Sequence, residues 1–194
     1  MKTALLLFLC YLIGTISGAY IIGMLFKHTD IRKEGSGNAG TTNAIRVMGK
    51  KLGYMTFAVD VLKGVAVMLI VAPMLDQSYR LFATLFVVLG HDYPFYLGFR
   101  GGKGIATTFG AFGAVAPLYV AIAALGGFIV GKVSRYVSLG SLTFLSIASV
   151  LMIFSWKESS LNVLAIVLIW ALGFLRHRSN IKRLKEGTEN KVGG

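Results

Sequence analysis

The chain has 194 residues, 55% of them apolar, and a net charge of +12 from twenty basic and eight acidic side chains. Its mean hydropathy of +0.71 exceeds what a soluble core needs, so the composition describes an integral membrane protein forming one domain, 1–194. In a membrane protein the basic excess marks cytoplasmic loops and anionic headgroups more readily than nucleic acid. A lone cysteine excludes an internal disulfide, and three scattered histidines beside it show no metal-ligand spacing.

In chain order, the first apolar segment, about 3–26, is too long for a signal-peptide core and reads as an uncleaved span. Within it, Gly14-x-x-x-Gly18 allows close helix approach, and Cys10 is not a lipoprotein site because Leu9 precedes it. The second apolar segment, about 52–72, contains Asp60 and Lys63 three residues apart, a pair that neutralises itself at the rim of a polar cavity. The third, about 79–98, carries His91 and Asp92 near its end, adjacent residues that point apart on a helix. The fourth apolar stretch, 104–131, has Pro117 near its middle. A single crossing would put Lys132, Arg135 and the basic tail opposite the other cations. Two short helices, about 104–116 and 117–131, keep every cluster on one side. Further helices are expected at about 137–155 and 161–176, with Gly127-x-x-x-Gly131 again a packing motif. Glu158 and Asn162 share a helix face near the outer side, where capping or packing outweighs chemistry. The closing Val192-Gly193-Gly194 reads as a cloning scar. The expected fold is an all-α integral membrane protein of about seven transmembrane helices, two of them short, with the N-terminus outside and the C-terminus cytoplasmic.

Two glycine-rich, cation-bearing islands interrupt this pattern. The first, Gly35-Ser36-Gly37-Asn38-Ala39-Gly40-Thr41-Thr42-Asn43 with Arg46, superficially matches a dinucleotide fingerprint. No strand precedes it, and Asp60 lies in an apolar helix, so the match is spurious. A short helix from Thr42 to Met48 is expected instead, with Asn43, Arg46 and Lys50 on one face. Its glycines and hydroxyls suit an oxyanion or phosphate; an amphipathic interfacial helix explains only Ile45 and Met48. The second island, Gly98-Phe99-Arg100-Gly101-Gly102-Lys103-Gly104, fails as a Walker A loop. It still opens an apolar helix, so Gly101, Gly102 and Gly104 are expected to aim N–H groups at an anion beside the Lys103 charge. In the last turn, Phe174, His177 and Ile181 share a face, which turns His177 and Asn180 toward the bundle. A histidine at that position is equally a cation near a helix C-terminus.

Together these segments resemble the bacterial acyl-phosphate:glycerol-3-phosphate acyltransferases over nearly the whole chain. The similarity rests on the first island with Arg46, on Gly90-His91-Asp92-Tyr93-Pro94 through Gly101-Gly102-Lys103-Gly104-Ile105-Ala106-Thr107, more loosely on Lys157-Glu158 through Asn162 and Ala165, and on Arg176-His177-Arg178-x-Asn180. The resemblance implies transfer of a fatty acyl group from acyl phosphate to the 1-hydroxyl of glycerol 3-phosphate, giving lysophosphatidate and inorganic phosphate. It assigns glycerol 3-phosphate binding to Ser36, Arg46, Lys103, His177 and Asn180. Ser36, Arg46, Lys103 and His177 are the candidate catalytic residues. Gly37, Asn38, Thr41, Thr42, Asn43, Gly101, Gly102, Gly104 and Asn180 complete the candidate phosphate site.

The residue types agree with that chemistry. Donors are abundant and carboxylates scarce, as two phosphorylated substrates require. An acyl phosphate is already activated, and neither a Ser-His-Asp/Glu nor a Cys-His arrangement stands out. The residues five after His28, His91 and His177 are Lys33, Tyr96 and Lys182, so the His-x4-Asp pattern of the acyl-CoA class is absent. The base is either His177 or a substrate phosphate oxygen. No metal or cofactor is expected, the partners are the two substrates and membrane lipid with no obligate protein partner, and the location is the bacterial inner membrane with the site facing the cytoplasm. The main rival is a transporter or channel for a small anion, against which the islands' collection on one side counts.

Overall fold

A computed structural model describes residues 1–191, so the Val192-Gly193-Gly194 reading lies outside the described residues. The described residues form ten α-helices and short helical turns, with no strand: α1 (Lys2–Thr15), α2 (Gly18–Lys27), α3 (Thr41–Met48), α4 (Lys50–Ala66), α5 (Arg80–Asp92), α6 (Ile105–Val115), α7 (Pro117–Ser134), α8 (Val137–Trp156), α9 (Ser160–Arg176) and α10 (Arg178–Lys185). Four segments are long and apolar enough to cross a bilayer: Lys2–Lys27, Lys50–Met74, Pro117–Ser134 and Val137–Trp156. The pair α9 and α10, bent by 55°, gives a fifth if taken together. Large apolar side chains such as Leu5, Leu25, Phe128 and Phe154 are exposed around the bundle, as lipid-facing residues are.

The expected division at Pro117 is present: α6 ends at Val115 and α7 starts on Pro117. The first and third segments differ from expectation. The first breaks at Ile16–Ser17, where the Ser17 hydroxyl accepts from Tyr20 N and caps α2. The third ends at Asp92, well short of residue 98, before the Tyr93-Pro94 turn. At 13 and 11 residues, α5 and α6 are about 20 and 16 Å long, against a hydrocarbon core of about 30 Å. They fit because the loop between them dips into the bundle, surrounded by longer helices. Helix α5 lies against α1, α6 and α9, while α4 lies along α6 and α7 pairs with α8. Glycines let these helices approach. A Cβ on Gly14 would collide with the Val87 backbone, and one on Gly127 would press 2.7 Å from Gly140 O.

One buried polar cluster ties three of these helices and the break between α1 and α2. Lys63 Nζ lies 2.9 Å from Asp60 Oδ1 and 2.7 Å from His91 Nδ1. It also donates to Gly14 O (3.1 Å) and Ile16 O (2.8 Å), the carbonyls freed where α1 breaks from α2. The expected Asp60–Lys63 pair is therefore real and lies buried inside the bundle: Asp60 and Lys63 are 1% and 5% exposed. Removing one partner leaves the other charged and unpaired, typically at about 3–5 kcal/mol. Lys63→Ala is accordingly expected to lower the thermal midpoint of the detergent-solubilised protein sharply, and the double variant Asp60→Asn/Lys63→Met to recover part of that loss. Equal destabilisation by single and double variants would contradict the pairing.

Candidate active site

The second island enters the bundle as a loop resting on the end of α5. Gly101 N donates to Asp92 O and Gly102 N to His91 O, so these two amides are already bonded to backbone carbonyls and do not aim at an anion as the sequence suggested. The requirement for glycine here is steric. A Cβ on Gly102 would strike the His91 imidazole, and one on Gly101 would strike His91 O. Lys63, as an ammonium, can only donate, so His91 Nδ1 accepts and its ring proton sits on Nε2 beneath Gly102. Gly104, with φ +73°, begins α6 in the left-handed region and sets the turn that presents Lys103.

Arg176, the last residue of α9, clamps this loop from the side. Its Nε and Nη2 donate to Gly102 O at 3.0 and 2.7 Å, and Nη2 reaches Gly101 O at 3.3 Å. The guanidinium lies over the Tyr93 ring, and its Nε is 3.9 Å from Asp92 Oδ2. The following residue is His177. The clamp thereby fixes the spacing between Lys103 and the start of α10, where Asn180 Oδ1 accepts from Lys103 Nζ.

His177 is 3% exposed, and its Nδ1 is 2.8 Å from Gly173 O. A carbonyl only accepts, so Nδ1 carries the proton and Nε2 keeps its lone pair. Burial, aided by the Lys103 charge, pulls the imidazole pKa down to about 4, leaving it neutral near pH 7. Lys103 is likewise drawn down to about 8 by burial, against the opposing pull of Glu189. Glu189 was not picked out from the sequence. Its carboxylate accepts from Asn180 Nδ2 (2.6 Å), Ser138 Oγ (2.8 Å) and Arg183 Nε (2.7 Å), so the C-terminal segment closes over α10.

The first island is built differently. Asn43 is 1% exposed, and its side chain is spent on the loop: Oδ1 accepts from Ser36 N, and Nδ2 donates to Ile31 O and Glu34 O. This corrects its expected role as a phosphate ligand to that of a loop fastener. Gly35 (φ +58°) passes so close to Asn43 Oδ1 that no side chain fits. The loop leaves Ser36, Thr42 and Arg46 exposed, with Gly37, Asn38 and Thr41 partly covered, and the Thr41 hydroxyl has no partner. Helix α3 starts at Thr41, one residue earlier than expected, with Gly40 as its N-cap. Arg32, held by Asp30, joins this island to the second through Leu97 O. Among the described residues no hydrogen bond or ion pair links Ser36 or Arg46 directly to Lys103, His177 or Asn180. The structure thus brings Lys103, His177 and Asn180 together and sets Ser36 on a separate loop with Arg46 on the α3 helix that follows it. Asn162 behaves as the packing residue expected, bonding Leu81 N, Gln77 O and Ser159 Oγ. No three His, Cys, Asp or Glu side chains among the described residues group closely enough to hold a metal ion.

Beside the second island opens an apolar cavity of about 620 Å³ between α4, α6, α7 and α8. Phe57, Phe109, Phe128 and Phe144 line it, with Ile105 at the loop end and Lys132 and Arg135 at the α7–α8 turn. A recessed cationic pocket next to an apolar cavity, within a membrane bundle, defines an integral membrane enzyme for amphiphilic molecules.

Comparison with known proteins gives the family. The glycerol-3-phosphate acyltransferase family profile matches residues 4–187. Proteins named glycerol-3-phosphate acyltransferase from Thermoanaerobacter sp. (strain X514) and Clostridioides difficile (strain 630) are 43% and 42% identical, aligned over 100% and 94% of this chain and 97% and 92% of theirs. Crystal structures of PlsY (YgiH), an integral membrane glycerol 3-phosphate acyltransferase, superpose in its glycerol 3-phosphate form (TM-score 0.91, 38% identity) and its lysophosphatidic acid form (0.89, 37%). Both cover 100% of this chain and 96% of that one. The chain belongs to the glycerol-3-phosphate acyltransferase family and is a membrane acyltransferase.

A lysine cannot reproduce the two-carbonyl fork of Arg176. Losing one charged hydrogen bond costs about 1.5–3 kcal/mol, so Arg176→Lys is expected to reduce kcat/KM for glycerol 3-phosphate about 10- to 100-fold with the thermal midpoint nearly kept. Wild-type kinetics in steady-state assay would remove the clamp from the account.

Proposed function

We propose that this enzyme transfers a fatty acyl group from acyl phosphate to the 1-hydroxyl of sn-glycerol 3-phosphate, releasing lysophosphatidate and inorganic phosphate. The observation that carries the reading is the meeting of Lys103, Asn180 and the unprotonated Nε2 of His177, with Lys103 two residues before Ile105, which lines the apolar cavity. The cavity suits the acyl chain, and the cationic pocket suits the polyol phosphate. Ser36, with Thr41 and Arg46 of α3, would take the same phosphate from the first island, so that the ligand itself bridges the two islands.

In this mechanism the glycerol hydroxyl oxygen attacks the acyl carbonyl carbon. A new C–O bond forms, the bond to the phosphate oxygen breaks, and inorganic phosphate departs with the bonding pair. The hydroxyl proton passes to His177 Nε2 or to a phosphate oxygen. Positioning and charge supply the acceleration, since the mixed anhydride is already activated. The topology that fits has seven membrane helices, α1 and α2 together counting as one. The N-terminus is outside, the C-terminus is in the cytoplasm, and the site faces the cytoplasmic side of the bacterial inner membrane. It rests on the gathering of Lys27–Lys51, Arg100, Lys103, Lys132, Arg135 and the tail at one end of the chain's helices.

Purified protein given palmitoyl phosphate and glycerol 3-phosphate should release phosphate without CoA, acyl carrier protein or added metal; turnover only with acyl-CoA would overturn the donor. Lys103→Ala and Arg46→Ala are each expected to raise KM for glycerol 3-phosphate about 10- to 100-fold, the cost of a charge-assisted contact. Phosphate binding needs the Lys103 ammonium, which is present below its pKa of about 8 and lost above it. Without bound substrate the free-enzyme value governs kcat/KM, which should therefore fall above about pH 8. Lys103→Arg, charged throughout, should flatten that alkaline limb; an unchanged limb would assign it to another group.

A further inference from the structure

At the end of the bundle opposite the two islands, the chain builds a second cavity of about 280 Å³. It forms where the Lys50–Met74 segment and α6 and α8 end and where α5 begins. Met68, Ala72, Pro73, Val115 and Trp156 line it, and the remaining wall is Arg80. The Arg80 Nε is buried and has no hydrogen-bond partner among the described residues. A guanidinium N–H is obligatorily a donor, and leaving one desolvated and unpaired costs free energy that native structures rarely accept. No carboxylate lines the cavity, so the protein supplies no anion where this cation points.

The surroundings say what would supply one. Leu69, Ile70, Val115 and Phe154 near the cavity are exposed apolar side chains, the kind of surface that lies against acyl chains. Trp156 stands at the helix end, where indoles settle at the headgroup level. The regular α4 helix widens here into a π-turn, Val67–Val71, a local distortion that often accompanies binding sites. We propose that this cavity is a phospholipid site: Arg80 holds the phosphodiester of a membrane glycerophospholipid, whose chains run down the adjoining apolar helix surfaces. The site is separate from the acyltransferase pocket and stands independently of the donor proposed above.

The test uses delipidated protein in detergent, with dioleoyl phosphatidylglycerol, dioleoylglycerol and inorganic phosphate as separate probes. Dioleoylglycerol has the same chains and lacks the phosphate. In native mass spectrometry, wild-type protein is expected to retain a phosphatidylglycerol adduct at several times the occupancy of R80Q. The phospholipid should raise the thermal midpoint of wild type by a few degrees and leave that of R80Q unmoved. Equal adducts on both proteins, or an equal shift with dioleoylglycerol, would overturn the phosphate contact. The same shift with inorganic phosphate alone would make the ligand a soluble anion and overturn the lipid. Acyltransferase turnover of R80Q should match wild type, because Arg80 lies far from the reacting groups.

Discussion

A bilayer interior has no water with which to satisfy a charge, and the buried ammonium of Lys63 is where this chain meets that constraint. Asp60 balances its charge, and the three donors of the ammonium go to Gly14 O, Ile16 O and His91 Nδ1. Those carbonyls are free only because the first span breaks at Ser17. The imidazole is held only because α5 brings it alongside α4. His91 in turn is the floor on which Gly102 lies, and Gly102 is the carbonyl that Arg176 grips. The position of Lys103 is thus inherited, contact by contact, from a lysine that never meets substrate.

Some of this was legible in the sequence and some was not, for identifiable reasons. The two islands stood out because cations are scarce in spans and here are interleaved with clustered glycines and hydroxyls, and the break at Pro117 followed from the sidedness of charge. What the glycines do was not legible. Gly101 and Gly102 look like amides waiting for an anion, but their N–H groups close the loop onto α5, and only the distant His91 ring explains why a side chain is forbidden. Asn43 misleads in the same way, since its three bonds run back to Ile31, Glu34 and Ser36. The break at Ser17 did leave a signal, a Ser-Gly capping pair inside an apolar run. Glu189 left a fainter one: one of two carboxylates in a strongly basic tail, two residues after Gly187, whose value depends on α10 folding back over Ser138.

Recessing the proposed phosphate pocket has two opposed electrostatic consequences. Lower local polarity strengthens each contact that Lys103 and Asn180 make to an anion, yet it also pulls the lysine pKa toward neutrality and threatens the charge that makes the contact useful. Glu189 resolves part of this conflict. Held by Asn180, Ser138 and Arg183, it favours the charged lysine without bonding to it, so the ammonium still has donors left for a ligand. It also holds the Asn180 amide, which fixes the oxygen turned to Lys103. A carboxylate directly on Lys103 would have stabilised the charge better and blocked the site.

The same depth shapes the treatment of His177. At the protein surface an imidazole would be partly protonated near pH 7 and would add another cation to the cluster. Buried beside Lys103, with Nδ1 committed to Gly173 O, it is held neutral with one nitrogen open. In the proposed mechanism its neutrality costs nothing in phosphate attraction, because Lys103 and the exposed Arg46 carry that task. The division is physical: cations that can remain charged sit where the proposed anion would arrive, and an imidazole able to accept a proton sits where burial keeps it neutral. Because α9 delivers Arg176 and His177 as consecutive residues, the contact that fixes the loop and the imidazole with the open nitrogen cannot drift apart.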